Sequence, residues 1–238
     1  MIDLKGKNCL ITGATGALGS ELAHQLSDKG CNLLLTGRDS NKLLSLTKEL
    51  AEFSKGLTNC WVSEDLTYSF AVEDLIKSAD RVFDIDILIN SAGAFMIKDI
   101  EKVSNVDLET HIQLNVTSPY QLCQYFSKGM KERKWGKIVN IGSSSSYNGF
   151  KGGSLYCMTK HAILGMSRAL YEELKEYNVQ VMCVSPGSMQ SEMAKISVDQ
   201  DFSTFLRPKA VAEQIVNAIC MDNDMVCKEL RLDRAVIR

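Results

Sequence analysis

The chain has 238 residues, of which 45% are hydrophobic and 24% charged, and 27 Lys and Arg stand against 29 Asp and Glu for a formal net charge of −2. That balance supplies no basic field to attract nucleic acid or an anionic membrane, and the length suffices to bury a core without disulfides or a structural metal. Only three prolines, and no apolar run near the roughly 18 residues of a spanning helix, exclude Pro-rich, collagen-like and membrane-spanning classes.

The first apolar run, Asn8–Thr12, leads into Thr12-Gly13-Ala14-Thr15-Gly16-Ala17-Leu18-Gly19. A helix is predicted over Ala17–Lys29, with Leu18, Leu22 and Leu26 at spacing four. A strand that turns through glycines into a helix lets a pyrophosphate approach the free N–H groups of the helix start. Gly13 suits positive φ at the turn, and Gly19 allows the helix to lie close to the strand. Gly13, Thr15, Gly16, Leu18 and Gly19 are therefore candidate dinucleotide-binding residues; a tight turn with no ligand is the alternative.

The second strand, Cys31–Thr36, ends in Gly37-Arg38-Asp39. A cation here suits the 2′-phosphate of NADP, and a carboxylate suits the ribose hydroxyl of NAD. Arg38 favours NADP(H); Asp39 keeps NAD(H) open, or caps the next helix, Asn41–Phe53.

Strand Asn59–Val62, helix Phe70–Phe83 and strand Ile85–Asn90 follow, then a long helix over Val106–Lys134 in which Pro119 predicts a kink or restart. Lys131-Glu132-Arg133-Lys134 reads as a solvated helix end. The fifth strand, Lys137–Ile141, runs into Gly142 and Ser143, at the end of the sheet where ligands sit in such folds. The helix Ser154–Tyr177 opens with Tyr156-Cys157-Met158-Thr159-Lys160. Spacing i, i+4 puts Tyr156 and Lys160 on one face, where an ammonium is expected to lower the phenol pKa from about 10 and make it a general acid/base. A Ser143 hydroxyl beside them would bond the reacting carbonyl oxygen. Strand Val179–Val184, helix Pro208–Met221 and strand Glu229–Leu232 complete the chain. This β-α repetition predicts a single-domain, doubly wound Rossmann fold over residues 1–238, with a mostly parallel sheet of about seven strands and helices on both faces.

In order and spacing, the Thr12–Gly19 turn, Asp65-Leu66, Asn90-Ser91-Ala92-Gly93, Asn115, Ser143, Tyr156 with Lys160, and Pro186-Gly187 resemble the short-chain dehydrogenase/reductase family, from about Leu4 to Met221. The resemblance implies an NADP(H)-dependent oxidoreductase interconverting a ketone and a secondary alcohol. Tyr156 would exchange the proton, Ser143 orient the carbonyl, Lys160 hold the nicotinamide ribose, and Asn115 support a water relay to Lys160. Asp65 would bond the adenine amino group beside the Leu66 backbone. Asn90, Ala92 and Gly93 would line the ribose side. After Pro186 and Gly187, Met189 and Ser191 would face the nicotinamide carboxamide. Assembly into a homodimer or homotetramer through the Val106–Lys134 and Ser154–Tyr177 helices is also implied, with Gly165 and Ala169 permitting close approach.

Two departures stand out. Ala17 occupies the usual middle glycine of the short members, and Gly13-x-x-Gly16-x-x-Gly19 is similar to a longer epimerase and dehydratase branch, whose C-terminal domain 238 residues cannot hold. Ser191 stands where a threonine is usual. The other readings are a non-catalytic dinucleotide sensor or scaffold and an epimerase or dehydratase that retains its cofactor. Ser188–Leu206, with Met189, Met193, Ile196, Phe202 and Phe205, is the expected substrate lid; Phe95 and Met96 are candidates for an apolar cleft wall, and Ser144–Tyr147 for its polar part. The substrate is expected to be a small carbonyl or alcohol, with 3-oxoacyl thioesters, general ketones and sugar ketones all open.

The eight cysteines form no C-x-x-C and read as buried reduced thiols, Cys157 included; the three histidines have no ligand spacing, so no metal is expected. His161 points away from Lys160 around its helix. Met1 to Lys7 lacks a long apolar region, and a cytoplasmic location is expected.

Overall fold

Side chains alternate across each strand, and this alternation divides the core in two. Cys9 and Ile11, Leu33 and Leu35, and Ile87 and Ile89 enter one apolar cluster; Leu10, Leu34 and Leu88 enter the other. All these residues are fully buried, as expected where helices cover both faces of a parallel sheet. The computed structural model describes residues 1–54, 56–196, 200–221 and 225–235. Its strands are β1 (Asn8–Thr12), β2 (Asn32–Gly37), β3 (Asn59–Ser63), β4 (Ile87–Asn90), β5 (Gly136–Ile141), β6 (Val179–Pro186) and β7 (Glu229–Leu232). They form one sheet in the order β3-β2-β1-β4-β5-β6-β7, and every pairing is parallel.

Helices α1 (Ala17–Asp28), α2 (Ser40–Phe53) and α7 (Pro208–Ile219) cover one face through leucines such as Leu22, Leu43 and Leu50 and through Ile215. Helices α3 (Ser69–Asp80), α5 (Ser118–Glu132) and α6 (Ser154–Leu174) cover the other through Leu75, Leu122, Phe126 and Leu174. Each fully buried side chain of this kind contributes about 1.5–3 kcal/mol. Because the strand order reverses between β1 and β4, the connections leaving their paired C-terminal ends lead to helices on opposite faces and leave a crevice at the middle of the sheet.

The long helix expected over Val106–Lys134 is interrupted. A first helix, α4 (Asn105–Ile112), passes through a π-helical turn, Gln113–Thr117, into α5. Pro119 lies in the first turn of α5, directly after the π-helical turn, where its missing N–H leaves a carbonyl of that turn without a helical donor. A capping box starts α4: Ser104 Oγ accepts from Asp107 N at 3.1 Å, and Asp107 Oδ2 accepts from Ser104 N at 2.9 Å. The end of α5 also differs from a merely solvated terminus. Arg133 reaches back to the segment leading into β4, donating to the Ile85 carbonyl at 2.7 Å beside Asp84 and Asp86. No described helix is long and apolar enough to cross a membrane.

Candidate active site

The crevice is floored by the glycine turn. Gly13 has φ +64°, and a Cβ there would stand 2.8 Å from Ala92 Cα; a Cβ on Gly19 would stand 2.2 Å from the Gly13 carbonyl oxygen. Only glycine permits both the turn and the close approach of α1 to β1. Gly16 caps α1 and donates its N–H to the Gly13 carbonyl at 3.0 Å, while Leu18 turns into the core. Thr12 Oγ1 accepts from Ser91 N at 3.1 Å and Ala92 N at 3.0 Å, tying the end of β1 to the loop after β4.

Beyond the tip of β2 lies a cavity of about 570 Å³ lined by Thr15, Arg38, Asp39, Ser40 and Lys42. The Asp39 carboxylate is engaged as the N-cap of α2, accepting from Asn41 N at 3.0 Å and Lys42 N at 3.1 Å. The exposed Arg38 lines the same cavity. These residues fit a 2′-phosphate better than a bare ribose hydroxyl, since the one carboxylate already serves the helix.

Farther along the crevice, Asp65 Oδ1 accepts from Thr67 N and Thr67 Oγ1, and Ser118 Oγ donates to the Leu66 carbonyl at 2.9 Å. The Asn90 side chain turns inward instead: Nδ2 donates to Asn140 Oδ1 at 2.8 Å, and Asn140 donates to Ser167 Oγ at 3.0 Å. This buried chain crosses from β4 through β5 to α6. Gly93 sits beside Asn115, whose Oδ1 is 3.3 Å from where a Cβ would stand.

Asn115 lies in the π-helical turn and is 2% exposed. Its Oδ1 accepts from Ala94 N at 2.8 Å; its Nδ2 donates to the Ala94 carbonyl at 2.9 Å and to Thr159 Oγ1 at 3.1 Å. The amide therefore joins the loop after β4 to α6.

Ser143 follows β5, and its Oγ accepts from Ser145 N at 3.1 Å. Its hydroxyl also faces the Tyr156 phenol closely enough to favour the ionised form. Lys160 Nζ donates to the Ile141 carbonyl at 2.8 Å and lies 5.8 Å from the centre of the Tyr156 ring. Sequence spacing thus brings Ser143, Tyr156 and Lys160 together at the C-terminal end of β5. The expected electrostatics differ. Burial pushes the Tyr156 phenol above its ordinary pKa, partly offset by the Ser143 hydrogen bond. Burial lowers Lys160 to about 8. Desolvation outweighs the attraction inferred from spacing, because both groups are buried and the ammonium is directed at a carbonyl.

Pro186 ends β6, and Gly187 N donates to the Leu232 carbonyl at 2.7 Å. Met189 bridges Leu206, closing the base of the segment that follows, and Ser191 Oγ accepts from Ala194 N at 3.2 Å. Arg234, beyond β7, bonds Gln200 and Thr204 of this segment and lies 4.9 Å from the Phe205 ring. Of the expected lid, residues 197–199 and the side chain of Ile196 lie outside what is described. Phe95 meets Tyr156 and Phe150, whereas the Tyr147 hydroxyl is held by Glu229 on β7 at 2.6 Å. Sequence reasoning missed Phe150 and the Arg234 contact; neither lies in a motif. The eight cysteines are free thiols, six of them buried, and burial raises Cys31 and Cys123 to about 12. Cys157 packs in α6, and the exposed His161 holds Nδ1 2.8 Å from the Cys157 carbonyl oxygen. Among the described residues, no group of His, Cys, Asp or Glu is arranged to hold a metal ion.

The profile of the family described as short chain dehydrogenase matches residues 7–201. A 3-oxoacyl-(acyl-carrier-protein) reductase of Aquifex aeolicus is 30% identical, over 82% of this chain and 79% of its own. A solved structure described as a short chain dehydrogenase/reductase family protein superposes with a TM-score of 0.87 at 26% identity, covering 98% of this chain and 97% of that one. A short-chain dehydrogenase from Sphingobium yanoikuyae, solved in complex with NADPH, gives 0.84 at 25% identity, over 95% and 87%.

Burial of Lys160 predicts a pH dependence. The folded chain loses the Lys160 proton near pH 8, and the unfolded chain keeps it until near the ordinary value of 10.5. Between these values the unfolded state binds more protons, so this group's contribution to stability rises with pH. Thermal unfolding of the cofactor-free chain and of Lys160→Met is expected to show the variant more stable at pH 7, with the gap narrowing towards pH 10. A gap independent of pH would contradict the assignment.

Proposed function

The chain belongs to the short-chain dehydrogenase family, and from that premise we propose that it is an NADP(H)-dependent oxidoreductase interconverting a ketone and a secondary alcohol, with Tyr156 as general acid/base. The observation that carries this reading is the meeting of Ser143, Tyr156 and Lys160 at the end of β5, beside a glycine cradle at the sheet's switch point.

Bound NADP(H) supplies or accepts the hydride. In the reductive direction the Tyr156 phenol donates its proton to the carbonyl oxygen. A phenol whose pKa is raised by burial is fully protonated at neutral pH, which suits that role. Ser143 donates a second hydrogen bond to the same oxygen and so stabilises the charge that develops there. Lys160 would hold the hydroxyls of the nicotinamide ribose with the donors not used on the Ile141 carbonyl. The Asn115 side chain is committed to Ala94 and Thr159, so a water relay at this position would use its main-chain carbonyl.

NADP(H) is favoured over NAD(H) by Arg38 at the cavity beyond β2 and by the engagement of Asp39 as a helix cap. The NADPH complex of the Sphingobium relative supports the same choice. The remaining cofactor roles, at Gly13, Thr15, Gly16, Leu18, Gly19, Asp65, Leu66, Asn90, Ala92, Gly93, Pro186, Gly187, Met189 and Ser191, follow the family. At Asn90 the side-chain nitrogen is engaged by Asn140, and at Ser191 the hydroxyl accepts from Ala194 N but keeps its own proton to donate. One domain over 1–238, with 188–206 as its substrate lid, is supported by the zipped lid base. Exposed Leu108, Tyr120 and Met158 on α4, α5 and α6 support a homo-oligomer built through those helices.

NADPH oxidation against a panel of ketones tests the reading. Tyr156→Phe is expected to lower turnover by about 100-fold or more while NADPH still binds, because a positioned acid contributes about 10²–10⁴; undiminished turnover would reject Tyr156 as the acid. Arg38→Ala is expected to weaken NADPH binding roughly 10-fold or more and NADH binding hardly at all, since charged hydrogen bonds are worth about 1.5–3 kcal/mol. Equal losses measured by fluorescence titration would reject the 2′-phosphate role.

A further inference from the structure

We infer that Phe95 is a positioning residue for Tyr156, holding the phenol ring at the orientation in which its hydroxyl meets the ketone oxygen. The inference rests on the proposed role of Tyr156. The two ring centroids are 4.7 Å apart with planes at 85°, the edge-to-face arrangement that aromatic pairs prefer.

Three observations set this contact apart from ordinary core packing. First, Tyr156 is 9% exposed and Phe95 is only half-buried, so Phe95 belongs to the wall of the cleft and to neither core cluster. Second, both residues are fixed through one group. Asn115 holds both backbone polar atoms of Ala94, next to Phe95, and also holds Thr159, whose hydroxyl donates to the Tyr156 carbonyl at 2.9 Å. The backbone supports of the two rings are thereby locked to each other.

Third, Phe95 has a backing of its own. Phe150 lies behind it, with centroids 6.1 Å apart. The Phe150 ring folds over Gly153, where a Cβ would stand 2.4 Å from Phe150 Cζ, and Lys98 N donates to the Gly152 carbonyl at 2.8 Å. The loop after β4 and the loop before α6 are thus latched together, and the wall cannot yield without breaking that latch.

The need for such support follows from the other neighbours. The phenol tip faces Ser143, and Lys160 is directed at the Ile141 carbonyl, 5.8 Å from the centre of the ring. A ring pinned by its Cα–Cβ bond, with no ion pair at the phenol, retains freedom to tilt, and a misplacement of about 1 Å is enough to slow a positioned reaction. Phe95 removes that freedom on one flank.

The test uses the full chain as wild type, Phe95→Leu, Phe95→Tyr and Tyr156→Phe, with NADPH and the ketone panel. Phe95→Leu is expected to lower kcat roughly three- to tenfold, the range an edge-to-face pair supports. KM and NADPH affinity should stay near wild type, and Phe95→Tyr, which keeps the ring, should restore kcat. In parallel, NMR of the chain carrying ring-13C tyrosine reports Tyr156 directly, by the signal that Tyr156→Phe removes. Because loss of the Phe95 ring current alone shifts that signal, the readout is its line shape, which reports how fast the Tyr156 ring flips: flipping is expected to speed up in Phe95→Leu and to slow again in Phe95→Tyr. An unchanged kcat with an unchanged flip rate, a rise in KM alone, or loss of NADPH binding in Phe95→Leu would overturn the inference. If the wild type reduces no ketone, the reading of the function fails, and the flip rate alone decides whether Phe95 holds the ring.

Discussion

The amide of Asn115 meets three partners in a space closed to water: the N–H and carbonyl of Ala94 and the hydroxyl of Thr159. Removing one such partner leaves a buried polar group unsatisfied, at a cost of about 1–3 kcal/mol. The two halves of the site depend on this connection. One half is the crevice between β1 and β4, shaped by Gly13 and Gly19. The other is the start of α6, which carries Tyr156 and Lys160. The π-helical turn at Gln113–Thr117 puts the amide between them, and π-helical turns recur at functional sites.

Burial then sets the chemistry of the site. A lysine one turn beyond a tyrosine suggests an ammonium that draws the phenol towards ionisation. In the folded chain, desolvation acts first and on both groups, keeping the phenol protonated and lowering Lys160 to about 8. The proposed role of Tyr156 as the acid in reduction rests on this balance. Ser143 faces the same phenol at the end of β5 and partly offsets the effect of burial.

The sheet, the glycine turn and the Tyr156–Lys160 pair were legible in the sequence because each rests on local patterning: apolar runs, strand–turn–helix order, and i, i+4 spacing. β1 and β7 begin and end where their apolar runs do, while β6 runs on to Pro186. The break in the long helix was signalled by Pro119, but its π-helical form was not, since it depends on the amide bonding across to Ala94. Asp39 shows the same limit. Its carboxylate suited either a ribose or a helix cap, and only its bonds to Asn41 N and Lys42 N distinguish them. Arg133 read as a solvated terminus because its partners, Ile85, Asp84 and Asp86, are distant in sequence. The Phe95–Tyr156 contact is likewise invisible without the fold that brings the two loops together.

The central claim is that this crevice moves a hydride between a nicotinamide and a carbonyl carbon. Incubating the chain with a ketone and NADPH deuterated at C4 tests it directly. The deuteron carried by one of the two faces of C4 is expected on the carbinol carbon of the alcohol, read by mass spectrometry, with the new hydroxyl hydrogen drawn from solvent. Label that stays on the cofactor, or an alcohol whose new C–H comes from water, would contradict the account.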